Sequence, residues 1–372
     1  MMSDEIQVYD AWLASAEIPY EWLIPLLYEK KDSHAVYEDL IVRKRRMEDL
    51  IPPGCQTKLA YYADPVRMDT FRDLTRKHGI LSLTIMDGDY PHCLRELPDP
   101  PGILFYQGDT GCLKSQKSAA MVGSRAASYA GLKASRRISK DLSGNGVVII
   151  SGLAYGIDAE CHRGCIEGGS PTIAVLGCGL DQMYPAENSR LKLDILAAGG
   201  LVLSEYAPGV KPIGHHFPYR NRIISGLAGV VILMEAKIRS GSMTTISHAL
   251  KQGKEIYAYP GDPSSPLSEA NRQLLREGAK YFSQASDILE DMNWLDNQSH
   301  VGQNSDCSAP RLPEDPSESA VCRALIKGEL GFDELVQSTG LTSSALMSTL
   351  TVMQIKKRIE PIPGKKYRLV QL

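Results

Sequence analysis

The chain has 372 residues, 41 Lys and Arg against 44 Asp and Glu for a formal net charge of −3, and 43% hydrophobic content. That length exceeds one ordinary compact core, so two or three domains are expected, and the hydrophobic content argues for folded domains rather than long disorder. The opening MMSDEIQ carries acids where a secretory leader carries positive charge, and no apolar run approaches the roughly 18 residues of a membrane span, so a soluble cytoplasmic protein is expected.

From residue 4 to about 79 the pattern is helical and short-range, in EIQVYDAWLASA, YEWLIPLLYEK, SHAVYEDLIVRKRRMEDL and PVRMDTFRDLTRKHG, broken by Pro19, Pro52-Pro53 and Pro65. Residues 1–79 read as a small helical domain, with the RKRR of 43–46 on a solvated helix face. The Pro-rich YPHCLRELPDPPGILFYQGD reads as an extended connection ending in a short strand.

Regular alternation begins next. SAAMVGSR, GVVIISG, PTIAVLG, LVLSEY, GVVILME and EIYAYPG are apolar, strand-like runs, each followed by an amphipathic stretch. Six such repeats predict an α/β fold with a Rossmann-like, doubly wound, mainly parallel sheet over residues 80–283. Ligands of such sheets bind where strands run into helices. Four loops at those places are rich in Gly and Ser: Gly123-Ser124-Arg125, SGLAYGID at 151–158, LGCGLD at 176–181 and SGSMTT at 240–245.

Residues 284–316 hold seven acids against one base, in SDILEDMNW, which reads as a last helix, and the polar tract DNQSHVGQNSDCSAPRLPEDP after it. This is expected to close the core and continue as a flexible linker. Residues 317–372 read as three helices, SESAVCRALIKG, FDELVQSTG and TSSALMSTLTVMQIKKR, and a hairpin around Pro363-Gly364: a winged-helix-like module.

Eight scattered cysteines without secretory features fit reduced thiols. In CHRGC, Cys161 and Cys165 would share a helix face, and His162, His215 and His216 are conceivable zinc ligands, but no second Cys pair completes a set and no metal is expected.

The charge is unevenly placed: 19 Lys and Arg stand against 13 Asp and Glu between Lys117 and Ser283, net +6, leaving −9 elsewhere. Gly/Ser turns at helix starts present backbone N–H groups to an anion with the helix dipole behind them. Gly123, Gly152, Gly156, Gly241, Ser124, Ser240 and Ser242 suit that role, and Arg125, Arg220 and Arg222 would add charge-assisted bonds. Such glycines also serve tight strand–helix turns. GCGLDQ has Gln182 where a dinucleotide fingerprint needs Gly or Ala, and no GxxxxGK[ST] occurs, so NAD and a Walker-type phosphate loop are disfavoured.

VGSRAASYAG, SGLAYGIDAECHRG, TIAVLGCGLDQMYPAEN, LVLSEY, FPYRNRIISGL, MEAKIRSGSMTT, AYPGD and NRQLLREGAKY together resemble the bacterial DNA-processing protein A family, DprA or Smf, through residues 80–283. The flanking modules are similar in pattern to the family's SAM-like N-terminal domain and C-terminal winged helix. The resemblance implies a single-stranded DNA-binding protein of natural transformation and homologous recombination. It would dimerise, protect incoming strands and help load the RecA recombinase, with no cofactor and no small-molecule substrate. It places DNA contacts on Gly123, Ser124, Arg125 and Ser128, on Gly152, Ala154, Gly156 and His162, and on Arg220, Asn221 and Arg222. Lys237, Arg239, Ser240, Gly241 and Ser242 complete that set, and self-association falls on Leu274 and Leu275. Two departures are local: Cys161 stands before His162 where the family often has Ala, and Met243-Thr244-Thr245 follows SGS where Leu is common.

The rival expectation is a nucleotide-processing enzyme, such as a phosphoribohydrolase, which would need a general base. Asp158, Glu205 and Glu235 are available, but a helix-dipole role for Asp158 and pairing of Glu205 and Glu235 with rim arginines account for them.

Overall fold

The computed structural model describes residues 2–45, 50–295, 315–325, 330–356, 359–362 and 366–369. It divides into two compact units, 1–299 and 300–372.

The first unit opens with helices α1 (Met2–Ala14), α2 (Tyr20–Lys30), α3 (Ser33–Tyr37), α4 (Pro53–Tyr62) and α5 (Pro65–His78). Trp12 of α1 is fully buried and donates its indole N–H to Leu59 O at 2.9 Å, tying α1 to α4. Helix α5 is set by its ends: Asp64 accepts the Val66 N–H at 3.1 Å, Pro65 fills the first helical position, and Gly79 closes it at φ +59°. Helix α4 is absent from the sequence expectation because Pro52-Pro53 reads as a break, whereas Pro53 occupies the first turn, where a missing N–H costs nothing. Of the Arg43–Arg46 expectation the solvent exposure holds for Arg43, Lys44 and Arg45, but the helical face does not. A π-helical turn ends at Val42, and Arg43 and Arg45 fold back on the Asp39 carboxylate at 3.1 and 3.3 Å; Arg46 lies outside the described residues.

The sheet comprises β1 (Leu81–Thr84), then α6 (His92–Arg95), β2 (Ile103–Gly108), β3 (Ser118–Val122), α7 (Tyr129–Ser143), β4 (Val148–Ser151), α8 (Ile157–Gly168), β5 (Thr172–Leu176), α9 (Ser189–Ala197) and β6 (Leu201–Ser204). It continues with α10 (His216–Leu227), β7 (Val230–Leu233), α11 (Ser242–Lys251), β8 (Glu255–Ala258), α12 (Glu269–Arg276), β9 (Lys280–Tyr281) and α13 (Ala285–Asp291). The spatial order is β1-β2-β6-β5-β4-β3-β7-β8-β9. All neighbours from β6 to β9 are parallel, and β2 and β1 add an antiparallel edge. The single turn α6 lies in the stretch expected to be extended, and strand β1 lies just before it, where no element is expected; LSLT is too short to show its period, and its pairing with β2 is supplied from further along the chain.

Strands β3 to β5, β6 and β7 are buried along their whole length, as strands covered on both faces must be. Helices α7 and α8 approach closely because their contact is made of small residues. Ser143 Oγ donates to Cys165 O at 2.7 Å, and a Cβ at Gly164 would stand 2.2 Å from Arg136 O. CHRGC is therefore a packing face: Cys161 and Cys165 are buried, and among the described residues no group of His, Cys, Asp and Glu is placed to hold a metal ion. The helical N-terminal segments share one apolar core with the sheet. Asp10 of α1 accepts Ser33 Oγ of α3 and Ser82 Oγ of β1, both at 2.6 Å.

Residues 284–295 close the core, with Ile288, Leu289 and Trp294 buried, while 296–314, most of the expected linker, lie outside the described residues. The second unit holds α14 (Pro316–Leu325), β10 (Leu330–Gly331), α15 (Phe332–Thr339), α16 (Ser343–Ile355), β11 (Ile359–Ile362) and β12 (Lys366–Leu369). Its strands order as β10-β12-β11, giving three helices and a wing. The turn at Pro363-Gly364 lies outside the described residues. No helix among the described residues is long and apolar enough to cross a membrane.

Candidate functional site

From β3 the chain steps outward to β4, β5 and β6, then returns to lay β7 against the other side of β3. Between the carboxyl ends of β3 and β7 the connections diverge, and a crevice must open there. It is a cleft of about 660 Å³. Its walls are the turn after β3 with Gly123, Ser124 and Arg125, the loop after β4 with Ala154, and the loop from β7 into α11 with Lys237, Arg239, Ser240, Gly241 and Ser242. The first turns of α10 complete it. A narrow recess continues past Arg125 and Arg220 to Gly152 and to Gly177 and Cys178 after β5. The four Gly/Ser loops thus meet at one place.

Arg125, Lys237 and Arg239 are exposed at this cleft, and none is paired with a carboxylate among the described residues. Arg220 is buried beneath them, donating from Nη1 to Gly152 O at 3.1 Å and to Val175 O, and from Nε to Asn221 Oδ1 at 3.2 Å. Burial draws its pKa down to about 10, so it stays charged at neutral pH. The lining holds one carboxylate, Asp158, which accepts the N–H groups of Gly152 at 3.2 Å and Ala154 at 3.4 Å. Burial raises its pKa, and Arg220 and these N–H groups oppose the rise. Four guanidinium or ammonium groups against one committed carboxylate make a site for a polyanion.

At the start of α11, Ser240 Oγ and Ser242 Oγ lie 2.7 Å apart, and no atom stands within 4 Å of where a Gly241 Cβ would be. A phosphate can approach backbone there without obstruction. Asn221 fixes the loop, its Nδ2 donating to Thr244 Oγ1 at 2.7 Å and Gly241 O at 3.3 Å.

Several expected contacts lie elsewhere. Arg222 is 1% exposed and turned from the cleft: two residues along a helix is about 200° of rotation. It forms a bidentate pair with Glu205, both contacts 2.7 Å, and its Nε meets Asp99 Oδ2 at 3.1 Å. Glu205 is thus an arginine's partner as expected, but Glu235 is not: it accepts the Ser128 N–H and Oγ, each at 2.7 Å. Ser128 in turn caps α7 by accepting the Gly131 N–H at 3.0 Å, so its hydroxyl is committed. His162 is fully buried on the sheet side of α8, Nδ1 2.8 Å from Thr172 Oγ1, out of reach of any bound strand. A Cβ at Gly156, whose φ is +75°, would stand 2.4 Å from Ser124 O, and Gly123 and Gly152 press as tightly on Ile157 and on Arg220 and Asp158. The turns require glycine at all three, and of these Gly123 lines the cleft and Gly152 its recess. Leu274 is buried in the core, while Leu275 beside it is half-buried.

Sequence reasoning passes over the aromatics. Phe217 and Tyr184 line the cleft with ring centroids 5.4 Å apart, and the Arg125 and Arg220 guanidinium groups stand 5.7 and 6.0 Å from the Phe217 ring. A total aromatic content of 7% hides a local concentration; the signal available is Phe217 itself, just ahead of Arg220 on the same helix.

The profile of the family described as DNA recombination-mediator protein A matches residues 82–293, and that of the DprA winged helix domain matches 307–365. The chain is 45% identical to the DNA processing protein DprA of Streptococcus pneumoniae over 65% of its own length and 84% of the relative's. The crystal structure of the pneumococcal protein superposes with TM-score 0.63 at 34% identity, covering 75% of this chain and 95% of that one. A Helicobacter pylori DNA processing protein A, solved to describe a single-stranded DNA binding mode, superposes with TM-score 0.52 at 29% identity over 57% of this chain and 95% of that one.

Proposed function

The chain belongs to the DNA recombination-mediator protein A family, and on that premise we propose that it binds single-stranded DNA along the cleft between β3 and β7. Its role is to protect incoming strands and help load RecA in natural transformation and recombination. The observation that carries this reading is the set of exposed cations Arg125, Lys237 and Arg239, none paired with a carboxylate among the described residues, gathered over a buried Arg220 at the switch point of the sheet. Backbone phosphates meet those cations and the Gly241 turn, while Phe217 and Tyr184 offer ring faces on which any base stacks. The protein acts in the cytoplasm as a homodimer.

A binding role rather than a catalytic one is supported by the state of the carboxylates. Asp158 is held by two backbone N–H groups, Glu235 by Ser128, and Glu205 by Arg222. A general base needs a lone pair within reach of a substrate proton, and these three are spent on the fold. The reading calls for neither cofactor nor small-molecule substrate.

The test is titration with fluorescent single- and double-stranded oligonucleotides beside a nucleotide-hydrolysis assay. Single strands should bind more tightly than duplex, with little dependence on base identity, and no turnover should accompany binding. Duplex bound as tightly as single strand at moderate salt, or hydrolysis abolished by Asp158→Asn, would overturn the assignment.

A further inference from the structure

Behind the first cleft the protein carries a second of nearly equal size, about 650 Å³, between α4 and α5 on one side and the segment after β6 on the other. The two are divided by one short stretch of chain. Pro212 and Gly214 face the first cleft, and Lys211 and Ile213 face the second. Lys211, Ile213 and Gly214 are exposed, so the divide between the clefts is open to solvent.

The second cleft shares two features with the first, open aromatic rings and a cation without a carboxylate partner among the described residues. Tyr61 is 58% exposed, its ring edge-on to Tyr62 at 5.2 Å, and the Arg67 guanidinium lies 3.7 Å over its face. Lys58 is taken by Glu17, the lining's one carboxylate, at 2.7 Å, and Arg67 is paired with Asp64 at 3.5 Å, whereas Lys211 has no carboxylate partner among the described residues. Cations beside half-open tyrosines are a platform for stacked bases with phosphates alongside. An acidic peptide would use the cations and leave the rings idle.

We propose that a single strand leaving the first cleft crosses the Lys211–Gly214 divide and continues into the second, so that the N-terminal helices form part of the DNA track, with Tyr61 a stacking residue and Lys211 a phosphate contact at the crossing. This rests on the first cleft being a DNA site. The track makes affinity depend on strand length: a strand that fills only the first cleft is blind to Tyr61, and a longer one is not.

The experiment compares oligothymidylates of about 6 and about 20 nucleotides on the full-length protein and its Tyr61→Ala and Lys211→Glu variants. Both positions are exposed, and unchanged circular dichroism and melting establish that each variant is folded. The long strand should lose about fivefold or more in affinity with either variant, the effect of a single stacked base, while the short strand is bound as before. In the unsubstituted protein, a 5-iododeoxyuridine walked along the long strand should crosslink to Tyr61 from one position. Equal affinities for the long strand in all three proteins overturn the proposal, as does an equal loss at both lengths, which places the effect in the first cleft. Failure of the unsubstituted protein to bind either length overturns the DNA reading of both clefts and is recognised by that result alone.

Discussion

Arg222 and Glu205 meet as a bidentate pair, Nη1 to Oε1 and Nη2 to Oε2 both at 2.7 Å, with the arginine 1% and the carboxylate 13% exposed. Two residues away on the same helix, Arg220 lines the cleft. The motif RNR therefore splits into one arginine that lines the cleft and one that is locked to a carboxylate away from it. Removing one partner of a buried pair leaves the other charged and unsolvated, a cost of about 3–5 kcal/mol. Arg222→Ala should lower the urea midpoint sharply, and Glu205→Ala nearly as much. A folded Arg222→Ala protein with native stability and weakened DNA binding would return Arg222 to the site.

Arg125 is the opposite case, exposed and without a carboxylate partner among the described residues. Arg125→Ala should leave melting unchanged and weaken single-strand binding to a similar degree for every sequence. The slope of log affinity against log salt should flatten by about 0.7 for the lost phosphate contact. Unchanged affinity and slope would remove Arg125 from the DNA path.

His162 shapes the acid limb of stability. Burial, helped by the charges of Arg163 and Arg220, holds its pKa down at about 3, against 6.5 for a free imidazole. The unfolded chain thus binds a proton that the native chain refuses. Its contribution is whole above about pH 6.5 and falls by up to about 1.4 kcal/mol per pH unit as pH drops toward 3. His162→Gln should show a shallower decline over that window, whatever its stability at neutral pH. Parallel curves would mean that His162 takes up its proton in the native state.

Asp10 works in the other direction. Burial raises its pKa from 3.8 to about 6, moderated by the hydroxyls of Ser33 and Ser82. A raised carboxyl favours the native state below the unfolded value and loses that advantage as pH rises through 6. A rise of that size corresponds to about 3 kcal/mol. Relative to Asp10→Asn, the protein should gain stability as pH is lowered from about 7 to about 4, read from urea midpoints at each pH. A constant difference between the two proteins would place the Asp10 pKa in the ordinary carboxylate range.

What the sequence made legible follows from range. Buried parallel strands announce themselves locally, as VVIL and VVII do, and the Gly/Ser loops after them fall where strand ends must converge. The first-turn prolines of α4 and α5 read differently only because Asp64 gives α5 a visible cap and α4 has none. Which way an arginine faces is a different kind of fact. Arg220 and Arg222 differ by about half a helical turn, and only the position of Glu205, delivered by β6 from the far side of the sheet, decides which is neutralised. Ser128 and His162 are misplaced by sequence reasoning for the same reason: Glu235 and Thr172, their partners, arrive from other strands.

The last prediction separates two neighbouring leucines. On α12, Leu274 is 5% exposed and packs into the core, whereas Leu275 is half-buried, its remaining surface beside the exposed Arg276. The same helix carries Asn271, which donates to Leu233 O at 3.1 Å and Tyr259 O at 2.9 Å and accepts the Ala236 N–H at 3.0 Å, so α12 is rigidly fixed to the ends of β7 and β8. A surface held that firmly suits self-association, because little ordering remains to oppose it. In a two-fold contact, Leu275→Arg introduces its charge twice into one desolvated patch. Two uncompensated charges cost several kcal/mol, enough to yield monomers at micromolar concentration. Each monomer keeps its own cleft, so a short oligonucleotide should bind as before, while cooperative coating of long strands and RecA loading should decline. Leu274→Arg is the control and should unfold the domain instead. Light scattering decides the matter: a folded Leu275→Arg protein that remains dimeric takes Leu275 out of the interface, and one that melts like Leu274→Arg makes it a core residue.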